Sequence, residues 1–351
     1  MNSLLPFRLP IAAALLFTAA GCVTANEQMP APPASLGGGQ TDEAASEAAL
    51  DLPILGIAQV SVSVSDLERS RTFYGDVLGL PKAFELKDQA GQVTSVFFKV
   101  NDDQYIELNP GLQPDELVRQ TRIVIQASDL RELHALYAEE GLDPGPIANG
   151  ADGNPTFRIV LPNGYPIDFL QYVPTSMQGS LRGQLLTPER VSTHLLHAAT
   201  MVRDDETREF FTKLGWGRML PGSRGDYIET PSRDFNLETK NPPLDPEDPA
   251  TREQYERELY GAVYHFSLEI SDMHAARELM KQRGGFDDVT LRTAVGNNRH
   301  WLLHLFDPDG TRVEFMSEDT VPDAIPSFSV MQPGPPAPPI LATERFVYPW
   351  P

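Results

Sequence analysis

The chain has one cysteine in 351 residues. A single thiol cannot close a disulfide within the chain, so no cross-linked framework supports the fold. Positive charge is also scarce, with 28 Lys and Arg against 49 Asp and Glu and a net charge of −21 at pH 7. That balance argues against a nucleic-acid partner, because phosphate binding needs a basic surface. It argues equally against adhesion to anionic lipid head groups by electrostatics alone. Long hydrophobic runs are missing too: the apolar stretch from Leu9 to Ala20 is too short to span a bilayer comfortably. What remains, 41% hydrophobic and 22% charged, is ordinary for globular protein, and the length suffices for two domains with a sizeable core.

The run from Leu9 follows Arg8 and ends in Ala19-Ala20-Gly21 before Cys22. It resembles a bacterial lipoprotein signal, the alternative being a plain secretory signal cut at a small-residue site. On the lipoprotein reading residues 1–21 are removed and Cys22 is the lipidated N-terminus, the chain's attachment to the membrane. No thiol is then left for catalysis. Val23 behind the cysteine fits sorting to the outer membrane, so the expected location is the cell envelope, facing the periplasm. Residues 22–52, rich in Ala, Pro, Gly and acids with Gly37-Gly38-Gly39 in the middle, show no apolar period and read as a disordered tether.

The body repeats one pattern. Ile57 to Val64 alternates like a strand with one buried face. Asp66-Leu67 then opens a helical run through Phe73, Tyr74 and Leu78 that stops at Gly79, and three strand-like pieces follow, ending at Tyr105–Leu108. This is a βαβββ module. The order returns from Arg122 through Asp129 to Asp168, from His197 through Asp204 to Glu238, and from His265 through Asp272 to Glu314. Leu161-Pro162-Asn163-Gly164 in the second copy parallels Phe306-Asp307-Pro308-Asp309-Gly310 in the fourth, so the modules come as two similar pairs. The boundaries expected are a first paired-module domain over 53–174, a linker over 175–190, a second domain over 191–318, and an extended Pro-rich tail over 319–351. A charged helix is expected at Thr251–Leu259.

Asp307-Pro308-Asp309-Gly310 between two apolar runs is turn chemistry, so residues 299–316 read as a β-hairpin. Alternation then sets Glu314 opposite His304, with His300 on the same face. A carboxylate among large apolar neighbours must be paired, protonated or metal-bound.

The stretch Ile-Ala-Gln-Val-Ser-Val-Ser-Val-Ser-Asp-Leu-Glu-Arg-Ser-Arg-Thr-Phe-Tyr-Gly-Asp-Val-Leu-Gly-Leu, Ile57 to Leu80, resembles the opening of a vicinal oxygen chelate domain. That superfamily includes glyoxalase I, bleomycin-resistance proteins and extradiol dioxygenases. The resemblance extends over Leu55 to Glu318 and implies an α+β fold: four βαβββ modules in two open, mostly antiparallel, barrel-like sheets with helices outside. It also implies a metal in the cleft, held by one residue on the first and one on the last strand of each module. In the first pair these positions fall on Gln59, Glu107, Arg122 and Asp168. Arginine offers no lone pair, so that cleft is expected to be metal-free, with Arg122 paired to Glu107 or Asp168, as a structural ion pair or as a remnant of anion binding. In the second pair they fall on His197, Glu238, His265 and Glu314, a set suited to one divalent transition metal: Zn, Ni, Co, Mn or Fe(II). His194, three residues before His197, is expected to face away from the cleft.

The resemblance leaves three chemistries open. One is isomerase or lyase chemistry on a small substrate chelated through adjacent oxygens, with Glu238, Glu314 or His304 moving the proton. His304 could equally do no more than orient Glu314. The second is an extradiol-type dioxygenase, against which stand the extra carboxylate of Glu238, His304 where that group has a tyrosine, and Asn297 near an expected histidine. The third is a non-enzymatic lipoprotein that binds a small molecule. Family clefts form within one chain or across a dimer, which leaves a homodimer open.

Overall fold

The computed structural model describes residues 52–202, 204–216, 219–221, 225–229, 236–240, 260–261, 263–288, 290–296 and 299–321. The leader, Cys22, the tether to residue 51, the helix expected at Thr251–Leu259, Asn297 and the Pro-rich tail from residue 322 lie outside them. Among the described residues no helix is long and apolar enough to cross a membrane.

Each module opens with a strand and a helix. The first contains β1 (Ile54–Val64), α1 (Leu67–Arg71, prolonged by a wider π-helical turn over Thr72–Val77), β2 (Lys82–Lys87), β3 (Val93–Lys99) and β4 (Tyr105–Pro110). The second contains β5 (Gln120–Ala127), α2 (Leu130–Glu139), β6 (Ala148–Asn149), β7 (Pro155–Val160) and β8 (Pro166–Leu170). After the short helix α3 (Met177–Ser180), the third has β9 (His194–Met201), α4 (Asp205–Lys213), β10 (Met219–Pro221), β11 (Gly225–Glu229) and β12 (Asn236–Lys240). The fourth has β13 (Phe266–Ile270), α5 (Met273–Gly284), β14 (Thr293–Val295), β15 (His300–Phe306) and β16 (Arg312–Thr320).

The helices start and stop by one device. Asp66, Asp129, Asp204 and Asp272 each cap a helix N-terminus by accepting from backbone N–H groups two or three residues on. Gly79, Gly141, Gly215 and Gly285 follow the helix ends with φ between 67° and 73°, the left-handed region where a side chain is penalised.

Modules pair into two eight-stranded sheets of identical topology, β2-β3-β4-β1-β5-β8-β7-β6 and β10-β11-β12-β9-β13-β16-β15-β14. Within a module the first and last strands run parallel, and every other neighbouring pair is antiparallel, including the joins β1–β5 and β9–β13. Alternation divides each strand. Val60, Val62 and Val64 of β1 enter the core, while Gln59 and Ser61 join a buried polar network on the opposite face.

A single cluster of apolar side chains runs through both halves, from Ile54 and Val60 to Phe266 and Phe315. Polar bonds also cross between them. Trp216 Nε1 donates to Tyr137 Oη at 2.8 Å, and Gln120 Nε2 donates to the Ala199 carbonyl at 2.9 Å. Gln104 is held at both ends of its amide by Leu195, accepting from its N–H at 2.7 Å and donating to its carbonyl at 2.9 Å. The buried Lys99 anchors the linker, donating to the carbonyls of Leu181 at 2.5 Å and Gln184 at 3.0 Å.

The turn of the last hairpin does more than reverse the chain. Asp307 accepts from Tyr74 Oη at 3.0 Å and from the Thr311 N–H at 2.8 Å, and Asp309 bonds Ser65 of the first module. Burial pushes the Asp307 carboxyl up to about 6, against the pull of the Thr311 and Tyr74 hydrogen bonds. A folded-state value above the unfolded one means that ionising Asp307 destabilises the fold. Its contribution is therefore complete below about pH 4 and lost as pH rises through 6, a difference of about 3 kcal/mol. Asp307→Asn removes this dependence: between pH 4 and 7.5 the wild type should lose stability relative to the variant, read as diverging urea midpoints. Parallel midpoints across that range would reject the assignment.

Candidate metal centre

The two sheets carry equivalent positions in equivalent register. In the first, Gln59 lies opposite Val124, Val124 opposite Asp168, and Asp168 opposite Arg158. In the second, His197 lies opposite Ser267, Ser267 opposite Glu314, and Glu314 opposite His304. Arg122 and His265 sit two residues before Val124 and Ser267. Cross-strand neighbours share a face, so one backbone presents two different sets of side chains to its cleft.

In the second sheet those side chains converge. His197 Nε2 lies 3.4 Å from His265 Nε2 and 3.4 Å from Glu314 Oε1, and His265 Nε2 lies 3.9 Å from Glu314 Oε2. All three residues are buried: His197 lies on β9, Glu314 on β16, and His265 just before β13, the strand between them. Ligand atoms gripping one ion at about 2.1 Å stand roughly 3–3.5 Å apart, so the cluster is close to the dimensions of a coordination shell. Of the groups of three or more His, Cys, Asp and Glu among the described residues, His197, His265 and Glu314 are one that could hold a metal, with donor atoms within 4.8 Å of one another.

The surrounding bonds suit the donor set. His265 Nδ1 lies 2.9 Å from the Val263 carbonyl and 2.7 Å from Arg312 Nη2. His304 Nε2 bonds Glu314 Oε2 at 3.0 Å. Burial alone would raise the Glu314 carboxyl, but the His304 hydrogen bond and the charges of His197, His304 and Arg312 outweigh it and hold the group well below the usual carboxylate range. An ionised carboxylate is the state in which Glu314 can ligate a metal.

The other sequence candidates divide. Glu238 lies opposite Ala199 on β12, the register in which Glu107 lies opposite Ser61, and so falls on the same sheet face as His197; its side chain is outside the described residues. His300 is separated from Glu314 by a register irregularity and bonds the Ser317 carbonyl at 2.7 Å. The expectation for His194 fails. A β-bulge leaves Leu196 without a partner, so His194 and His197 lie opposite Glu269 and Ser267, two residues apart on one face of β13. His194 bonds Glu269 at 2.8 Å and does not join the cluster.

Arg312 went unread in the sequence. It lies two residues before Glu314 on the same face, and its Nη2 lies 2.6 Å from His265 Nε2 and 2.7 Å from Nδ1. The signal was the even spacing from Glu314. In this structure a guanidinium lies against the imidazole that a metal would use.

The first cleft has a different floor. Arg122 pairs with both carboxylates, Nη2 to Glu107 Oε2 at 2.7 Å and Nη1 to Asp168 Oδ2 at 3.0 Å, where one pairing was expected. Arg158 grips Asp168 with two nitrogens, at 2.6 and 2.9 Å.

Comparison with known proteins bears on the fold. Residues 56–140 match the Glyoxalase/Bleomycin resistance protein/Dioxygenase superfamily model. Among solved structures, homoprotocatechuate 2,3-dioxygenase from Brevibacterium fuscum is similar at TM-score 0.56 and 18% identity, covering 78% of this chain and 74% of that one. The 2,3-dioxygenase LapB from Pseudomonas sp. KL28 is similar at TM-score 0.55 and 16% identity, covering 77% and 94%. A Mn(II)-bound glyoxalase from Novosphingobium aromaticivorans is similar at TM-score 0.54 and 18% identity, covering 82% and 89%. No curated protein matches the chain. The family match over residues 56–140 takes in the first βαβββ unit and the opening of the second, and that unit recurs in two sheets of one topology, the fold the solved structures share.

Proposed function

We propose that the second cleft is a metal-dependent lyase or isomerase site for a small substrate that presents two adjacent oxygens. The observation that carries this is the convergence of His197, His265 and Glu314 within 4.8 Å, on strands whose register also brings Glu238 to the same face. A divalent transition ion bound there would polarise a chelated carbonyl or hydroxyl oxygen as a Lewis acid. His197, His265 and Glu314 would hold the ion, and His304 orients Glu314 and keeps it ionised through the 3.0 Å bond. Glu314 is thereby committed to ligation, so proton transfer at the substrate carbon falls to Glu238. In the first sheet the equivalent glutamate, Glu107, contacts the side chains at both the Gln59 and Arg122 positions, at 2.7 Å each. That precedent within the same chain supports reach from Glu238 to the same point.

A second reading has its own observation. The cluster of two histidines and one carboxylate is the ligand set of many iron(II) oxygenases, and the dioxygenase structures share the fold across both halves.

One set of measurements separates the two. The purified protein is analysed for metal, then a panel of 2-hydroxycarbonyl compounds is incubated in D2O and followed by NMR. Retained metal with deuterium entering next to the carbonyl, lost in Glu238→Gln while the metal stays, supports the lyase or isomerase. Oxygen uptake on catechols with iron(II) alone selects the dioxygenase. Absence of metal after incubation with each candidate ion rejects both.

A further inference from the structure

We propose that the first cleft is a binding site in its own right, separate from the metal centre, for a small organic acid whose carboxylate meets Arg122 and Arg158. This does not rest on the function proposed for the second cleft. The first sheet encloses a cavity of about 580 Å³, within the range of small-molecule sites, and both arginines line it.

Hydrogen-bond accounting on the floor identifies the ligand's chemistry. A guanidinium carries five N–H donors. Arg122 uses three, on Ser61, Asp168 and Glu107, and Arg158 uses two, both on Asp168. Donors therefore remain on both. The carboxylates are already filled. Glu107 accepts from Gln59, Ser61, Ser95 and Arg122, and Asp168 accepts from both arginines. The third acid of the lining, Asp152, is taken by the amides of Asn154 and Gln178. A floor with spare donors and occupied acceptors calls for a ligand rich in acceptors.

Burial sets the sign of its charge. The side chains of Glu107 and Asp168 are 3% and 8% exposed, whereas those of Arg122 and Arg158 are 30% and 49% exposed. Negative charge lies beneath and positive charge faces the cavity, so a carboxylate meets charge-assisted donors on entry. Leu86, Phe97, Val124 and Leu170 add an apolar wall for the body of the acid. Arginine keeps its charge at any physiological pH, so this grip is permanent and needs no metal.

The test uses the full chain carrying His265→Ala and stripped of metal, so that the second cleft cannot report and a failure here leaves the metal proposal untouched. The probe is 3-phenylpropanoate, titrated by calorimetry and ligand-observed NMR. Saturable binding is expected in about the millimolar range or tighter for a ligand of this size. Arg158→Gln should weaken it about tenfold or more, and Arg158→Lys should retain part of the affinity. Arg158 is half exposed, so neither variant threatens the fold. The amine of the same shape, 3-phenylpropylamine, should not bind. Equal binding of the amine, unchanged affinity in Arg158→Gln, or no saturation with the acid would overturn the proposal.

Discussion

His265→Ala should cost the second cleft its metal. His265 is fully buried, its Nε2 lies 3.4 and 3.9 Å from the other two donors, and its orientation is fixed by the Val263 carbonyl. Loss of a partner that merely orients a ligand lowers metal affinity about 10–100-fold, so loss of the ligand itself should exceed a hundredfold. His304→Gln supplies the comparison: it removes the bond to Glu314 without removing a donor and should fall in the smaller range. Competition against a chromogenic chelator measures both, with circular dichroism confirming that each variant is folded. If His265→Ala bound the ion as tightly as the wild type, the ligand assignment would be wrong.

The second large effect lies in the other cleft. Arg122→Ala removes the cation between two buried carboxylates; Asp168 keeps its two bonds to Arg158, but Glu107 is left buried without a cation. Breaking a buried pair in this way destabilises by about 3–5 kcal/mol, and the partial exposure of the guanidinium places the expected loss near 3 kcal/mol. Urea unfolding should show it as a lower midpoint at unchanged slope. Adding Glu107→Gln to Arg122→Ala should restore most of the loss, because the uncompensated charge is then gone while Asp168 stays paired with Arg158. An Arg122→Ala variant as stable as the wild type would mean that water solvates Glu107.

Much of this architecture could be read from residue order because local rules act on adjacent residues. The four capping aspartates, the glycines at the helix ends and the Asp-Pro-Asp-Gly turn each state their structure within a few positions. The opposition of Glu314 and His304 followed by counting back from that turn. His194 was misread because strict alternation assumes an unbroken ladder, and the extra residue Leu196 shifts the count by one. Arg312 was missed because an arginine near a turn looks solvated until the strand is placed in the sheet, where it is 3% exposed. The bonds from Tyr74 to Asp307 and from Trp216 to Tyr137 join residues more than seventy positions apart and have no local signature.

The bulge at Leu196 has a twin. In β1, Ala58 is likewise passed over in the ladder, just before Gln59, as Leu196 is just before His197. The kink that aims the floor of one cleft thus aims the floor of the other, and the main chain itself does not decide which of them grips an ion. Histidine at positions 59 and 122 would present two imidazoles at the places His197 and His265 occupy, so a salt-bridged floor and a coordinating one are alternative fillings of the same mould.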